Sequence, residues 1–308
     1  FMKKIIIYIL TLVLICILIP VIFTNKFETK EVTSENIENI EVIENLSDYD
    51  YKQYNKIKLL HTKTNEVEEV NLDEYLCNVV SAEMPANYEI ESLKAQAIVA
   101  RTYTIYQIKN NPGKHGNANI CDSHLCCQAW ISKEDRFNKW DDNVENDYWN
   151  KIQTAVNETK GKIITYENEP INAFFHSNSG GMTEMPVNVW GGSGYPYLQA
   201  VSTSGEEEYS QYSSEVELTK DEVLNKIQET HPEIIIDYLA EKPIEILEYT
   251  ESGRIRTIRF GNVNLSGVEA RKIFGLRSSN FTIEILENTI KFKVIGYGHG
   301  VRNESNRC

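Results

Sequence analysis

A chain of 308 residues is long enough for one or two domains and a sizeable buried core. Its 45 acidic against 31 basic side chains leave a formal net charge of −14. No basic stripe is present that would neutralise phosphates, which excludes a nucleic-acid partner.

Lys3 and Lys4 precede an unbroken apolar run over residues 5–23, about the length that crosses a bilayer. Pro20, Phe23 and Thr24 make a poor cleavage site, so the run reads as a signal anchor rather than a removed signal peptide. Lysines before it and acidic residues after it place the N-terminus inside and the body outside. The expectation is a single-pass membrane protein, anchored by residues 1–25, with an extracytoplasmic body. Residues 26–55 are polar, acidic and aperiodic, as a linker is.

Residues 57–70 alternate weakly about Thr64-Asn65, as a hairpin would. A short amphipathic helix follows. Leu72, Leu76, Val79 and Val80 form one apolar stripe, Asn71 suits the cap, Glu74 suits a capping-box carboxylate, and Pro85 ends the helix. The next position on that stripe is Glu83. Burying a carboxylate is costly unless it is paired or takes up a proton, and a carboxyl protonated near neutral pH is what a general acid requires. A second helix is expected over residues 89–109, ended by Asn111-Pro112-Gly113, with Ile98, Ile105 and Ile108 on its buried face. Arg101 lies among them. It pairs with Glu83 in one reading; in another its stem packs while its head reaches solvent.

Cys16 lies in the apolar run, Cys77 on the first helix, and Cys308 is the last residue. Cys121, Cys126 and Cys127 instead crowd a loop with His115 and His124. Soft and borderline donors at such density suggest a tetrahedral zinc site; a disulfide and unpaired thiols are the alternatives.

Two strands are expected over 162–166 and 171–176, the second running into His176-Ser177-Asn178-Ser179-Gly180-Gly181. Hydroxyls, an imidazole and paired glycines suit a sugar-binding cleft, or simply a tight turn. Trp190, Tyr195 and Tyr197 add aromatic surface. No strand-Gly-x-Ser-x-Gly-helix elbow supports a Ser-His-Asp hydrolase. Further along, a helix over 218–236, a hairpin over 244–260, a short helix over 266–273 and a hairpin over 281–295 are expected, then the glycine-rich Gly296-Tyr297-Gly298-His299-Gly300.

The fold class is therefore α+β: helices and antiparallel hairpins around a central cleft. The expected division is a catalytic domain over 56–202, an inserted α+β subdomain over 203–280, and a return to the catalytic domain over 281–308.

Five motifs taken together resemble the stage II sporulation protein D family. They are Val79-Val80-Ser81-Ala82-Glu83-Met84-Pro85, Ala100-Arg101-Thr102-Tyr103 with the run before it, Ala173-Phe174-Phe175-His176-Ser177-Asn178-Ser179-Gly180-Gly181, Val189-Trp190-Gly191 and Gly298-His299-Gly300-Val301. The resemblance implies a membrane-anchored lytic transglycosylase that cleaves peptidoglycan glycan strands during engulfment. Glu83 would be its catalytic acid and Arg101 a further site residue; His176, Ser177, Ser179, Gly180 and Gly181 are the substrate contacts expected from their residue types. It also implies a structural zinc on His115, Cys121, Cys126 and Cys127, with His124 as the substitute for a cysteine. A peptide-stripping amidase and a polytopic membrane protein are the implied partners.

The family usually continues Gly-Met-Ser-Gln-Tyr-Gly after Gly-His-Gly-Val, whereas residues 302–308 differ as a truncation or frameshift would make them. Ordinary glycosidases need two carboxylates, and only one well-placed carboxylate is legible here, which suits transglycosylation. Two rivals stand beside this reading. One is a glycan-binding protein without catalysis, of the amidase-enhancer kind. The other is a zinc hydrolase of peptide stems.

Overall fold

The computed structural model describes residues 51–193 and 195–301. The expected anchor, most of the linker and the altered tail at 302–308 lie outside the described residues. Among the described residues, no helix is long and apolar enough to cross a membrane.

β1 (Lys56–His61) and β2 (Glu66–Asn71) form the expected hairpin, with Asn65 at the left-handed φ of 61°. A short β3 (Ile120–Cys121) pairs parallel to β1. Asn71 ends β2 and starts α1 (Leu72–Glu83): its side-chain oxygen accepts the N–H groups of Asp73 and Glu74 at 2.9 and 3.4 Å. Leu72, Leu76, Val79 and Val80 have no exposure. The helix stops because Pro85 pushes Met84 into the extended region.

α2 (Ile90–Asn110) runs through the middle of this first core, touching α1, β3 and α4 (Glu145–Glu158). It is covered on several sides, so a single apolar stripe does not describe it. Ile105 is buried but Ile98 and Ile108 are only half-buried, while Gln96, Arg101, Thr102 and Thr104 lie inside. Such buried polar groups need partners. Thr102 and Thr104 donate back to the Ile98 and Ala100 carbonyls, and Gln128 Nε2 bonds the Thr104 hydroxyl.

Arg101 corrects the expected Glu83–Arg101 pair. Its guanidinium donates to the carbonyls of Val156, Thr159 and Lys162 at 3.1, 2.8 and 3.3 Å. Val156 and Thr159 carry carbonyls that the end of α4 leaves without helical donors, and Lys162 lies in the turn that follows. Arg101 also lies 3.9 Å from Asp73, at the start of α1. Glu83 is ten residues further along that helix, roughly 15 Å away at 1.5 Å per residue.

α3 (Lys133–Phe137) precedes α4, and β4 (Thr165–Tyr166) and β5 (Glu169–Pro170) make a tight hairpin with positive φ at Glu167 and Asn168. Among the described residues, no ladder forms over 171–175 of the expected strand; its continuation meets residues near Tyr297 instead, through an Asn178–Tyr297 bridge. α5 (Pro186–Trp190) follows.

A second apolar cluster forms between residues 223 and 294. β6 (Ser213–Thr219) begins it, where a helix was expected from residue 218. Thr219 instead caps α6 (Lys220–Gln228) through a reciprocal box with Glu222. β7 (Ile244–Tyr249), β8 (Ile255–Phe260) and β9 (Val263–Ser266) form an antiparallel sheet, and Ser266 caps α7 (Gly267–Phe274). β10 (Phe281–Ile285) and β11 (Thr289–Ile295) pair, and β11 also pairs with β6.

The expected domain limits shift accordingly. The hairpin over 281–295 belongs to the second core, because its ladder partner is β6. The return to the first core is made by residues 296–301. At the other limit, residues 202–206 still bond the 179–182 turn, so the second core starts at β6.

Candidate active site

Glu83 ends α1 on the wall of a cleft of about 780 Å³. Tyr103 of α2, Phe174, Trp190 of α5, Tyr195 and His299 supply aromatic walls, and residues 124–127 of the cysteine loop form another side. Phe174 and Trp190 lie 4.5 Å apart by ring centroids, and Trp190 and His299 5.1 Å. Among the described residues that line the cleft, Glu83 is the one carboxylate.

Burial raises the Glu83 carboxyl to about 7, against the lowering effect of a hydrogen bond from the Ala129 N–H. That N–H lies 2.6 Å from Glu83 Oε1. With Oε1 accepting, Oε2 is the oxygen left to carry a proton. Ala129, a backbone donor, thus takes the role that the sequence assigned to Arg101.

His299 was not singled out from the sequence. It reaches the cleft because the chain around it passes close to its neighbours. At Gly298, with φ 116°, a Cβ would stand 2.9 Å from His176 Cβ; at Gly300, with φ 76°, one would stand 2.2 Å from an Arg254 nitrogen. Burial first, then the charges around His176, Arg271 and Arg254, push the His299 imidazole down to about 3, so it stays neutral. Its Nδ1 accepts the Val301 N–H at 3.1 Å.

The structure sets Arg101, His176, Ser177, Ser179, Gly180 and Gly181, the expected substrate contacts, outside the lining of this cleft. Arg101 is wholly buried, and His176 is buried with Nδ1 facing the Val301 carbonyl. Ser177 donates to Gln211. Ser179 Oγ donates to Glu206 Oε1 at 2.6 Å, and the Gly180 and Gly181 N–H groups bond Glu206 Oε2 at 2.7 and 3.2 Å. The turn therefore folds its donors around a carboxylate of this same chain, as successive backbone N–H groups do around an anion. The cleft residues to which sequence reasoning gave no role, Tyr103, Phe174 and Phe175, are members of the motifs themselves, which was their only signal.

His115, Cys121, Cys126 and Cys127 bring their donor atoms within 4.8 Å of one another, a grouping that can hold a metal ion. The three cysteines are free thiols, so the disulfide alternative is not formed, and His124 is exposed and outside the group. His115 Nε2 lies 3.2 Å from Cys127 Sγ and 4.0 Å from Cys126 Sγ. These values bracket the donor spacing of about 3.6 Å that tetrahedral bonds of 2.0–2.3 Å impose. Two residues past Cys127, Ala129 holds Glu83, so the cluster and the donor to the acid share one loop.

The model of the stage II sporulation protein family matches residues 60–166. The chain is 30% identical over 247 residues to stage II sporulation protein D of Bacillus amyloliquefaciens, covering 80% of this chain and 69% of that one. It is 31% identical over 246 residues to the protein of the same name from Bacillus subtilis (strain 168), with the same coverage. It is also 32% identical over 125 residues to the amidase enhancer of Bacillus subtilis, which is 41% of this chain and 14% of that protein. The first core with its cleft, the motifs that build it and this extent of identity together make the chain a member of the stage II sporulation protein D family.

Proposed function

We propose that the chain is a lytic transglycosylase that cuts cell-wall glycan between N-acetylmuramic acid and N-acetylglucosamine, with Glu83 as the single acid and base. The observation that carries this reading is a lone carboxylate, raised to about 7, in an aromatic cleft. Glycoside hydrolysis in its common forms needs a second carboxylate to activate water or to attack. Transglycosylation does not, because the nucleophile belongs to the substrate.

Glu83 gives its Oε2 proton to the bridging oxygen as the bond from that oxygen to the anomeric carbon breaks. The oxygen leaves with the bonding pair as the N-acetylglucosamine hydroxyl. The Glu83 carboxylate, steadied by the Ala129 N–H, then takes the proton of the muramoyl 6-hydroxyl. That oxygen closes on the anomeric carbon as a 1,6-anhydro ring, and Glu83 is protonated again. The aromatic walls keep water from competing, and neutral His299 adds no positive charge that would oppose the developing cation.

Zinc is the ion that the donor set of His115, Cys121, Cys126 and Cys127 suits, in a structural role, since four protein ligands leave no open position. In this reading the run at residues 5–23 tethers the chain to a membrane, and the body works in the wall space during sporulation engulfment, beside an amidase.

Mass spectrometry of peptidoglycan digests tests the assignment. The full chain is expected to release anhydro-muramic ends, and Glu83→Gln to lose that activity by about 10²-fold or more with its fold intact. Undiminished release by the Gln variant would overturn it. Similarity to the amidase enhancer favours a second reading, a glycan binder without catalysis, in which neither protein makes new ends.

A further inference from the structure

The aromatic lining does not stop at the edge of the cleft. Its rings continue as a track from Trp190 to Phe174 at 4.5 Å, on to Tyr195 at 5.7 Å, to Tyr197 at 5.5 Å and to Tyr166 at 5.4 Å. Tyr195 lines the cleft and also a second groove of about 490 Å³, whose walls include Tyr106, Tyr166 and Tyr197. The two hollows are thus joined at one side chain.

The groove is held in shape. Buried Asn172 donates its backbone N–H to the Tyr197 hydroxyl at 3.0 Å and its Nδ2 to the Tyr195 hydroxyl at 3.2 Å. Both rings are fixed before anything binds, which lowers the entropy lost on binding. On the far wall, Lys109 of α2 is paired with Glu169 of β5, and this ion pair ties the helix to the hairpin that carries Tyr166.

We infer that this groove is a second carbohydrate subsite, which takes an N-acetylglucosamine ring, the uncharged member of the alternating strand, beyond the rings held at Glu83. The inference rests on the glycan reading of the cleft. Three features select a sugar chain as the occupant. A pyranose offers an apolar face of C–H bonds to a flat ring and hydroxyls at its rim, and tyrosine meets both needs. The groove and the cleft share Tyr195 as a common wall, so one strand can pass from one to the other. The lysine on its wall is already neutralised by Glu169, and Glu167 adds a further carboxylate, so an anionic peptide stem finds no favourable field there.

Isothermal titration of the full chain carrying Glu83→Gln, with N-acetylglucosamine trimer and hexamer as probes, tests this directly. The hexamer is expected to bind more tightly than the trimer. Tyr166→Ala, at a side chain 40% exposed, is expected to lower hexamer affinity roughly three- to tenfold and leave trimer affinity within about twofold. Tyr166→Phe should restore most of the loss, since the ring face makes the contact. Equal affinities for the two probes, a hexamer affinity unmoved by Tyr166→Ala, or no binding of either would overturn the subsite. Length-dependent binding by a chain whose wild-type form releases no anhydro ends would instead sink the cleavage reading and leave the subsite standing.

Discussion

Glu83 shows how one side chain can be costly to the fold and useful to the chemistry. Its carboxyl titrates near 7, against an ordinary 4.5, because burial penalises the charged form more than the Ala129 hydrogen bond favours it. Between those two values the folded chain binds more protons than the unfolded chain. Stability therefore falls as pH rises through that window and is level above it. Gln has no such proton to lose. The stability advantage of Glu83→Gln over wild type is expected to grow by about 1–3 kcal/mol between pH 4.5 and 8, the upper figure being the full shift and the lower a discount for partial solvent screening. Urea unfolding of both proteins at the two pH values measures it. A difference that does not change with pH would mean that the carboxyl titrates normally, and its use as an acid at neutral pH would lose its basis.

At the scale of elements, the legible parts were those with local causes. Asn71, the apolar stripe and Pro85 define α1 within a few residues, and Ser266 marks the start of α7. The hairpins about Ser252-Gly253 and Glu287-Asn288 are set by their turns. What needed a distant partner was not legible. The pattern of 171–176 suits a strand, but among the described residues 171–175 join no strand. The spacing of Arg101 gave its side of α2 and not its height, so the cap on α4 was missed. The donor to Glu83 is a backbone N–H, which has no side-chain signature at all.

The loop that carries that donor yields the next prediction. Cys127 and Ala129 are two residues apart, so a metal ion on the cluster would stiffen the wall beside the acid. A bound ion at a thousandfold its Kd contributes about 4 kcal/mol, roughly 8–16 °C in Tm for a chain of this size. Chelation, or Cys121→Ser, is expected to lower Tm by that order and to reduce turnover without changing the product. Calorimetry with elemental analysis checks this. Lost catalysis with an unmoved Tm would assign the metal to the chemistry, and an absence of bound metal would remove it altogether.

At the scale of the molecule, buried polar groups join the two apolar cores. Arg254, from the turn before β8, donates to the Met182 carbonyl at 2.9 Å and the Ser179 carbonyl at 2.5 Å. Thr250 and Ser252 of the same turn donate to Glu184 at 2.6 and 2.7 Å. Burial alone would raise the Glu184 carboxyl. Its bonds from Thr250, Asn188, Ser252 and the Met185 N–H outweigh that and hold it below the usual carboxylate range. The limits expected at 203 and 281 missed this joint, because hairpin periodicity does not name a ladder partner or the carbonyls that a buried arginine will find. Removing one member of a buried charge cluster leaves the others unpaired and costs about 3–5 kcal/mol. Arg254→Met keeps most of the volume and removes the charge. It is expected to destabilise the chain by that amount in urea unfolding and to loosen residues 176–184 and 296–301, which carry His299 and the turn around Glu206. Hydrogen exchange reads the second effect separately: protection should fall in those two segments before it falls in α1 or α2. A loss below about 1 kcal/mol, or exchange that rises evenly everywhere, would mean that the second core does not brace the cleft.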